Sequence, residues 1–115
     1  MEPAAGYLEV RANVKNVRRS ARKVRLVADV VRGRRVEEAL SLLKFMPQYA
    51  ARDVEKVIRS AAANAENNYD LDIGTLTIYR IQVDEGVTLK RFKPGAHGRV
   101  KPRLKRSSRI SVIVR

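Results

Sequence analysis

Cysteine is absent from the 115 residues of this chain, which excludes disulfides and thiolate metal sites. Tryptophan is also absent, and aromatic residues make up only 5% of the chain, which argues against a protein that binds single strands by stacking bases on aromatic rings. No run of about 18 apolar residues occurs, so no membrane span is predicted. The beginning of the sequence has no basic region followed by an apolar stretch, so no signal peptide is expected.

Acidic residues are missing from the last thirty positions, residues 86–115, although the same segment contains ten Lys or Arg. The ten bases are Lys90, Arg91, Lys93, Arg99, Lys101, Arg103, Lys105, Arg106, Arg109 and Arg115. The whole chain carries a formal net charge of +13. A polyanion would relieve this self-repulsion, and nucleic acid is the first candidate.

The length and a hydrophobic fraction of 44% predict a single domain, residues 1–115, with a modest core. Alternation over residues 7–15 predicts a first strand, with Leu8, Val10, Ala12 and Val14 on one face. Three helices follow: one from a Ser20 cap to Gly33, one from about Val36 to Met46, and one from about Gln48 to Asn67. Their apolar faces are Val24, Val27, Ala28 and Val31; Val36, Ala39, Leu40 and Leu43; and Ala50, Val54, Val57, Ile58, Ala61 and Ala65.

Two strands close the chain, from Leu76 to about Leu89 and from about Leu104 to Val114. In the first of them Thr77, Tyr79, Ile81 and Val83 share one parity. The three strands predict an α+β fold, a three-stranded antiparallel sheet packed with three helices in the order β-α-α-α-β-β. Residues 84–106 are too basic for the core and predict a long β-hairpin arm, roughly 30–35 Å in reach at about 3.3 Å per residue. Gly86 is the candidate for a bulge where the arm leaves the sheet.

A second basic cluster surrounds the first helix, where eight bases accompany a single acid, Asp29. The bases are Arg18, Arg19, Arg22, Lys23, Arg25, Arg32, Arg34 and Arg35. Helical spacing puts several of them on one side, away from the valine stripe. This pattern predicts a phosphate-binding face that sets position with little base-specific readout. The alternative is an ordinary solvated helix surface.

No catalytic constellation is found in the sequence, so we expect neither an enzyme nor a cofactor. His97 is the only histidine and has no nearby carboxylate, which argues against a metal site or a catalytic histidine. Asp84 and Glu85 are neighbours on a strand and point to opposite faces, which favours a bulge role or an ion pair with an arginine. Asn64 is assigned to capping and loop work, with a hydrogen bond to a nucleotide as the alternative.

Three blocks of the sequence resemble the bacterial large-subunit ribosomal protein L22 family. They are residues 20–33 (SARKVRLVADVVRG), residues 60–68 (SAAANAENN) and the arm, residues 83–94 with the return at 104–110. Together they cover nearly the whole chain in the right order. The resemblance implies a structural constituent of the large ribosomal subunit in the cytoplasm. Such a protein would bind 23S rRNA early in assembly, contact neighbouring ribosomal proteins and act as a monomer within the ribosome.

The resemblance also implies roles for particular residues, with the tip of the arm lining the polypeptide exit tunnel and meeting the nascent polypeptide. The tip residues are Leu89, Lys90, Arg91, Phe92, Lys93, Pro94, Gly95, Ala96, His97 and Gly98, followed by Arg99. The rRNA-binding candidates are Arg11, Lys15, Arg18, Arg19, Arg22, Lys23, Arg25, Arg32, Arg34, Lys90, Arg91, Lys93, Arg99, Lys101, Arg103, Lys105, Arg106 and Arg109.

The chain departs from the family pattern in the arm. Gly95 stands where an arginine usually follows the tip proline, which removes a charge. Ser107-Ser108-Arg109 stands where Thr-Ser-His is usual, which adds a fixed charge. Pro102 removes one ladder donor.

Composition leaves other function classes open. An architectural DNA-binding protein with basic β-arms is the main alternative, although such proteins begin with helices and form intimate dimers. A basic RNA-processing enzyme would have to show a turnover that a single residue change abolishes. A membrane-active peptide is disfavoured because the arm has no amphipathic helical face.

Overall fold

The computed structural model describes the backbone of residues 9–86, 89–94 and 100–115, and the side chains of residues 9–86 and 106–115. The elements are β1 (Val10–Val17), α1 (Ala21–Val31), α2 (Val36–Phe45), α3 (Tyr49–Tyr69), a short 3-10 helix (Ile73–Thr75), β2 (Ile78–Glu85), β3 (Leu89–Pro94), β4 (Val100–Lys105) and β5 (Ser108–Val114). Predictions about Tyr7, Leu8, Val87 and the tip residues Gly95, Ala96, His97, Gly98 and Arg99 lie outside the described residues.

The sheet has the order β1-β5-β2, with β5 in the centre and antiparallel to both neighbours. Its inner face is apolar and packs on α1 and α3, with Ile110, Val112 and Val114 of β5 fully buried. The alternate residues of β5, Arg109, Ser111 and Ile113, point away from the helices and remain accessible to solvent. The predicted α+β fold is therefore confirmed, as a sheet with one buried and one open face.

The three helices begin and end close to where the sequence predicts. The Ser20 Oγ accepts a hydrogen bond from the Lys23 backbone N–H at 3.5 Å and caps α1. Gly33 follows α1 with φ +80°, a left-handed conformation that suits glycine. The predicted apolar faces are buried, apart from Leu40, which is half-buried.

The end of α2 is held by an arginine from the next helix. The Arg52 guanidinium of α3 donates to the carbonyls of Leu43, Lys44 and Met46 at 2.8, 3.1 and 2.9 Å. Its other terminal nitrogen meets the Glu55 carboxylate at 2.7 Å. Since the last carbonyls of a helix have no partner within the helix, Arg52 completes α2 and fixes the turn into α3.

Two irregularities change the predicted strand alternation. Asn16 has φ +60°, and the β1–β5 register shifts between Val14 and Val17, so Val17 rather than residue 16 is buried. The β2–β5 register shifts between Ile78 and Arg80. The prediction that alternate residues from Thr77 to Val83 share one face of the strand is therefore wrong. Tyr79 is 39% exposed, whereas Ile81 and Val83 are buried.

The root of the arm is a further irregularity. The backbone N–H of Gly86 donates to the Ser107 carbonyl at 2.9 Å. Glu85 pairs with Ser108, but the next pair is Leu89 with Lys105, so one extra residue lies on the β2 side. This is the pattern of a β-bulge. A Cβ on Gly86 would lie 2.6 Å from the Ser107 Oγ and 3.3 Å from the Ser107 carbonyl carbon, so any other residue here would force the Ser107 side chain to move.

Beyond the bulge, β3 and β4 form a separate two-stranded antiparallel sheet, from the Leu89–Lys105 pair to the Pro94–Val100 pair. The molecule measures 64 × 33 × 21 Å and has a radius of gyration of 17.3 Å, against about 13 Å for a compact chain of this length. The two predicted closing strands are thus each divided, into one part within the domain sheet and one part in the second ladder.

Candidate nucleic-acid interface

The predicted basic face of α1 divides into two groups of side chains. The Arg25 Nε donates to the Val83 carbonyl at 3.0 Å, and an Arg32 terminal nitrogen donates to the Ile81 carbonyl at 3.1 Å. Arg32 also forms an ion pair with Asp29. These two arginines therefore bind the backbone of β2. The sequence predicted one phosphate-binding face for the whole cluster and did not predict these contacts.

Three other arginines of the cluster also have partners within the fold. The Arg19 Nε lies 2.9 Å from the Asp53 Oδ2, and its guanidinium is 5.3 Å from the centre of the Tyr49 ring. Arg34 donates to the Val30 carbonyl at 2.8 Å and to Glu38 at 2.7 Å, and Arg35 donates to the Gly74 carbonyl. These contacts tie the β1–α1 connection to α3 and the α1–α2 turn to its surroundings.

Arg22, Lys23 and Arg106, by contrast, are exposed and have no side-chain partner within the described part of the chain. They line a cleft of about 310 Å³, together with Ser20, Ala21, Glu85 and Ser107. The first turn of α1, which opens onto this cleft, contains no acidic residue. Three cations and a helix N-terminus outweigh the single carboxylate of Glu85, so the cleft favours an anion such as a phosphate.

A second group of cations lies on the open face of the sheet. Arg11, Ile113 and Arg80 form one cross-strand row, and Asn13, Ser111 and Gln82 form the next. Neighbouring strands are about 4.8 Å apart, which places the backbones of Arg11 and Arg80 about 10 Å apart. Arg109 faces Asp84 in the following row. Arg80 was absent from the predicted set, although a cation in a half-buried strand is a usable signal.

A third group follows a groove of about 590 Å³ between the end of β1 and α3. Lys15, Arg18 and Lys56 line it beside Val14, Asn16, Val17, Arg19, Asp53 and Val57. Lys56 was missed because it lies on a long helix some forty residues away in sequence from Lys15 and Arg18. Only the folded chain brings it next to Lys15 and Arg18.

The sequence also singled out Asp84, Glu85 and Asn64, which lie in or beside strands. Within residues 9–86 and 106–115, neither Asp84 nor Glu85 forms an ion pair, so the expected pairing with an arginine is not found there. Both residues precede the bulge at the root of the arm. The Asn64 amide donates to the Arg11 carbonyl at 3.4 Å, on the outer edge of β1. No group of metal-binding side chains occurs among the described residues. No helix in the described ranges is both long and apolar enough to cross a bilayer.

Comparison with known proteins decides the family. The family model for ribosomal protein L22p/L17e matches residues 12–115. The chain belongs to this family. It is 54% identical over 103 residues to large ribosomal subunit protein uL22 of Pediococcus pentosaceus, covering 90% of this chain and 87% of the relative. It is also 54% identical over 107 residues to the protein of the same name from Dehalococcoides mccartyi, covering 93% and 98%.

Membership of the L22p/L17e family confirms the resemblance seen in the three sequence blocks. Because the family consists of structural ribosomal proteins, the expectation that the chain is not an enzyme is also confirmed. The rival assignments as a DNA-bending protein, a processing enzyme or a membrane-active peptide no longer apply. The individual RNA-binding and tunnel residues remain predictions for this L22p/L17e member.

Proposed function

We propose that this chain binds 23S rRNA chiefly through the cations that have no partner within the described fold. Membership of the L22p/L17e family makes it a structural constituent of the large ribosomal subunit, in the cytoplasm, associated with rRNA and other ribosomal proteins. Its role is the ordering of RNA during early assembly rather than chemistry. It works as a monomer within the subunit.

The cleft at the start of α1 is the observation that carries this proposal. Arg22 and Lys23 come from the first turn of the helix, and Arg106 comes from the link between β4 and β5 at the root of the arm. Folded RNA offers closely spaced phosphates and few accessible base edges. We therefore expect phosphate neutralisation, with little base readout, and a strong dependence of affinity on salt.

Two further surfaces extend the contact. The open sheet face, with Arg11, Arg80 and Arg109, and the groove with Lys15, Arg18 and Lys56 are formed by residues other than those that line the cleft. A protein that holds several RNA segments together needs basic surfaces on more than one side. We propose that these surfaces contact separate segments of the rRNA.

The arm is proposed to follow rRNA inward, with its tip at the wall of the polypeptide exit tunnel and in reach of the nascent polypeptide. The family resemblance supports this placement. The separate β3–β4 ladder supports it too, because its residues form a second sheet instead of extending the domain sheet. The arm bases Lys90, Arg91, Lys93, Lys101, Arg103 and Lys105 are proposed as rRNA contacts on the charge of this segment.

Binding to refolded, protein-free 23S rRNA across a salt series tests the RNA proposal. We expect the Arg22→Gln/Lys23→Gln variant to lose roughly tenfold or more in affinity, since two phosphate contacts are removed. Lys44→Gln/Arg59→Gln is the control for net charge, because it removes the same charge from the exposed faces of α2 and α3, together with the ion pair of Arg59 with Glu55. Equal losses in the two variants would mean that only net charge matters and that the cleft has no special role.

A photo-crosslinker at residue 96 tests the tip in assembled large subunits that carry a stalled nascent chain. Crosslinks to the nascent chain or to tunnel RNA are expected. Stable incorporation into the subunit with crosslinks only to RNA outside the tunnel would contradict the placement of the tip.

A further inference from the structure

We infer that Arg25 and Arg32 are positioning residues that fix the direction in which the arm leaves the domain, rather than ligands of RNA. The inference deepens the proposed function, since an arm must leave the domain at a defined angle to follow a defined path. Its physical basis lies in the domain sheet alone.

The edge position of β2 explains why two arginines are needed there. β5 is the only strand that pairs with β2 in the domain sheet. On the other side of β2, the backbone of Ile78 is hydrogen-bonded to Gly33 and Arg34, and the strand beyond it is an edge. Along that edge the carbonyls of Ile81 and Val83 accept hydrogen bonds from Arg32 and Arg25, 3.1 and 3.0 Å away. Exposed edge groups otherwise bind water or pair with another strand. The two guanidiniums occupy those acceptors and clamp β2 to α1.

The place of the clamp along the chain connects it to the arm. Val83 lies three residues before Gly86, where the bulge separates the domain sheet from the second ladder. Within the described residues, β2 packs chiefly against β5 and α1, and its first residue, Ile78, is also hydrogen-bonded to the turn that follows α1. A two-stranded ladder on a bulge has few contacts to define its angle, so the rigidity of the last pairs before the bulge controls it.

The positions of the cations along α1 determine which of them contact β2 and which line the cleft. Arg25 and Arg32 are seven residues apart, two helical turns, and so lie one above the other along β2. Arg22 and Lys23 are on the same helix and equally charged, yet they line the cleft and have no side-chain partner in the described ranges. They provide a natural control for any effect of removing charge from α1.

Distance measurements by double electron–electron resonance in the free protein test the clamp. The chain has no cysteine, so Ala63→Cys on the exposed side of α3 and Lys101→Cys in β4 can be spin-labelled specifically. We expect Arg25→Met/Arg32→Met to broaden the distance distribution roughly twofold, because local contacts at the hinge are lost. Arg22→Met/Lys23→Met should leave the distribution as in the parent protein.

Citrulline in place of both arginines separates hydrogen bonding from charge. It keeps N–H donors but is neutral, so the parent width is expected; a broad distribution would overturn the inference. An unchanged distribution in the Arg25→Met/Arg32→Met protein would also overturn it. If that double variant fails to fold by circular dichroism, Arg25→Met alone decides in the same way. None of these readouts involves RNA, so a failure of the proposed RNA binding would be seen separately.

Discussion

Helix α1 carries two pairs of cations that differ in what they contact. Arg25 and Arg32 donate to the backbone of β2, whereas Arg22 and Lys23 line an open cleft. The four side chains have the same sign of charge and are separated by at most ten positions in sequence. What differs is the neighbour that each helix face meets: a sheet edge with vacant acceptors, or solvent at the helix N-terminus. Positive charge alone therefore does not mark an RNA contact.

If stability and RNA affinity belong to different residues, each can be changed without the other. The largest expected effect comes from the core of the central strand. Ile110 is fully buried, and Ile110→Ala should lower the free energy of unfolding by about 2–5 kcal/mol, through lost burial and a cavity. Urea denaturation measures this loss. Ile113→Ala on the open face of the same strand is the control, and a similar loss there would contradict the one-sided core.

Arg52→Met asks whether an arginine with partners in the fold behaves as a structural residue. Three carbonyl acceptors at the end of α2 lose their donor, and we expect a loss of about 1–2 kcal/mol, moderated by partial exposure. Thermal and urea unfolding give the value. The salt dependence of RNA binding should stay as in the parent protein, and a reduced dependence would move Arg52 into the interface.

Gly33→Ala tests the turn that directs the chain from α1 towards α2. Gly33 has φ +80°, and a Cβ there costs about 1 kcal/mol of stability. Gly74→Ala serves as the comparison, since its added Cβ would make only ordinary contacts with Asp72 and Glu37. Equal stability of both variants in urea would show that the backbone strain at Gly33 is unimportant.

Asn64→Ala is expected to have the smallest effect. Its hydrogen bond to the Arg11 carbonyl is long, 3.4 Å, and partly exposed, so a loss of about 0.5 kcal/mol or less is expected. RNA affinity should not change. A clear drop in affinity at constant stability would support the alternative role, a hydrogen bond from Asn64 to a nucleotide.

Local patterns predicted the helices well, because the periodicity of Val24, Val27 and Val31 and the capping residues Ser20 and Gly33 act within a few positions. The bulges were less visible. Asn16 adopts φ +60°, and the shift near Tyr79 depends on pairing with a strand some thirty residues away. Only Gly86 gave a local signal, and a bulge does follow it.

The candidate interface was predictable in outline and not in its assignments. Charge identified Arg22, Lys23 and Arg106, but it could not bring Arg106 to the start of α1, since that requires the register of β5. Charge also selected Arg25 and Arg32, whose partners depend on which strand forms the sheet edge. Arg80 and Lys56 were missed because each is far in sequence from the cations that lie beside it in the fold.

The slope of log affinity against log salt concentration for refolded 23S rRNA tests most directly whether Arg22 and Lys23 contact RNA while Arg25 and Arg32 do not. Each lost phosphate contact should lower the slope by roughly 0.7–0.9. We predict that Arg22→Gln/Lys23→Gln reduces the slope by about 1.4–1.8, whereas citrulline at positions 25 and 32 leaves it unchanged. Equal reductions in the two proteins would contradict the account, because they would show that all four cations face RNA.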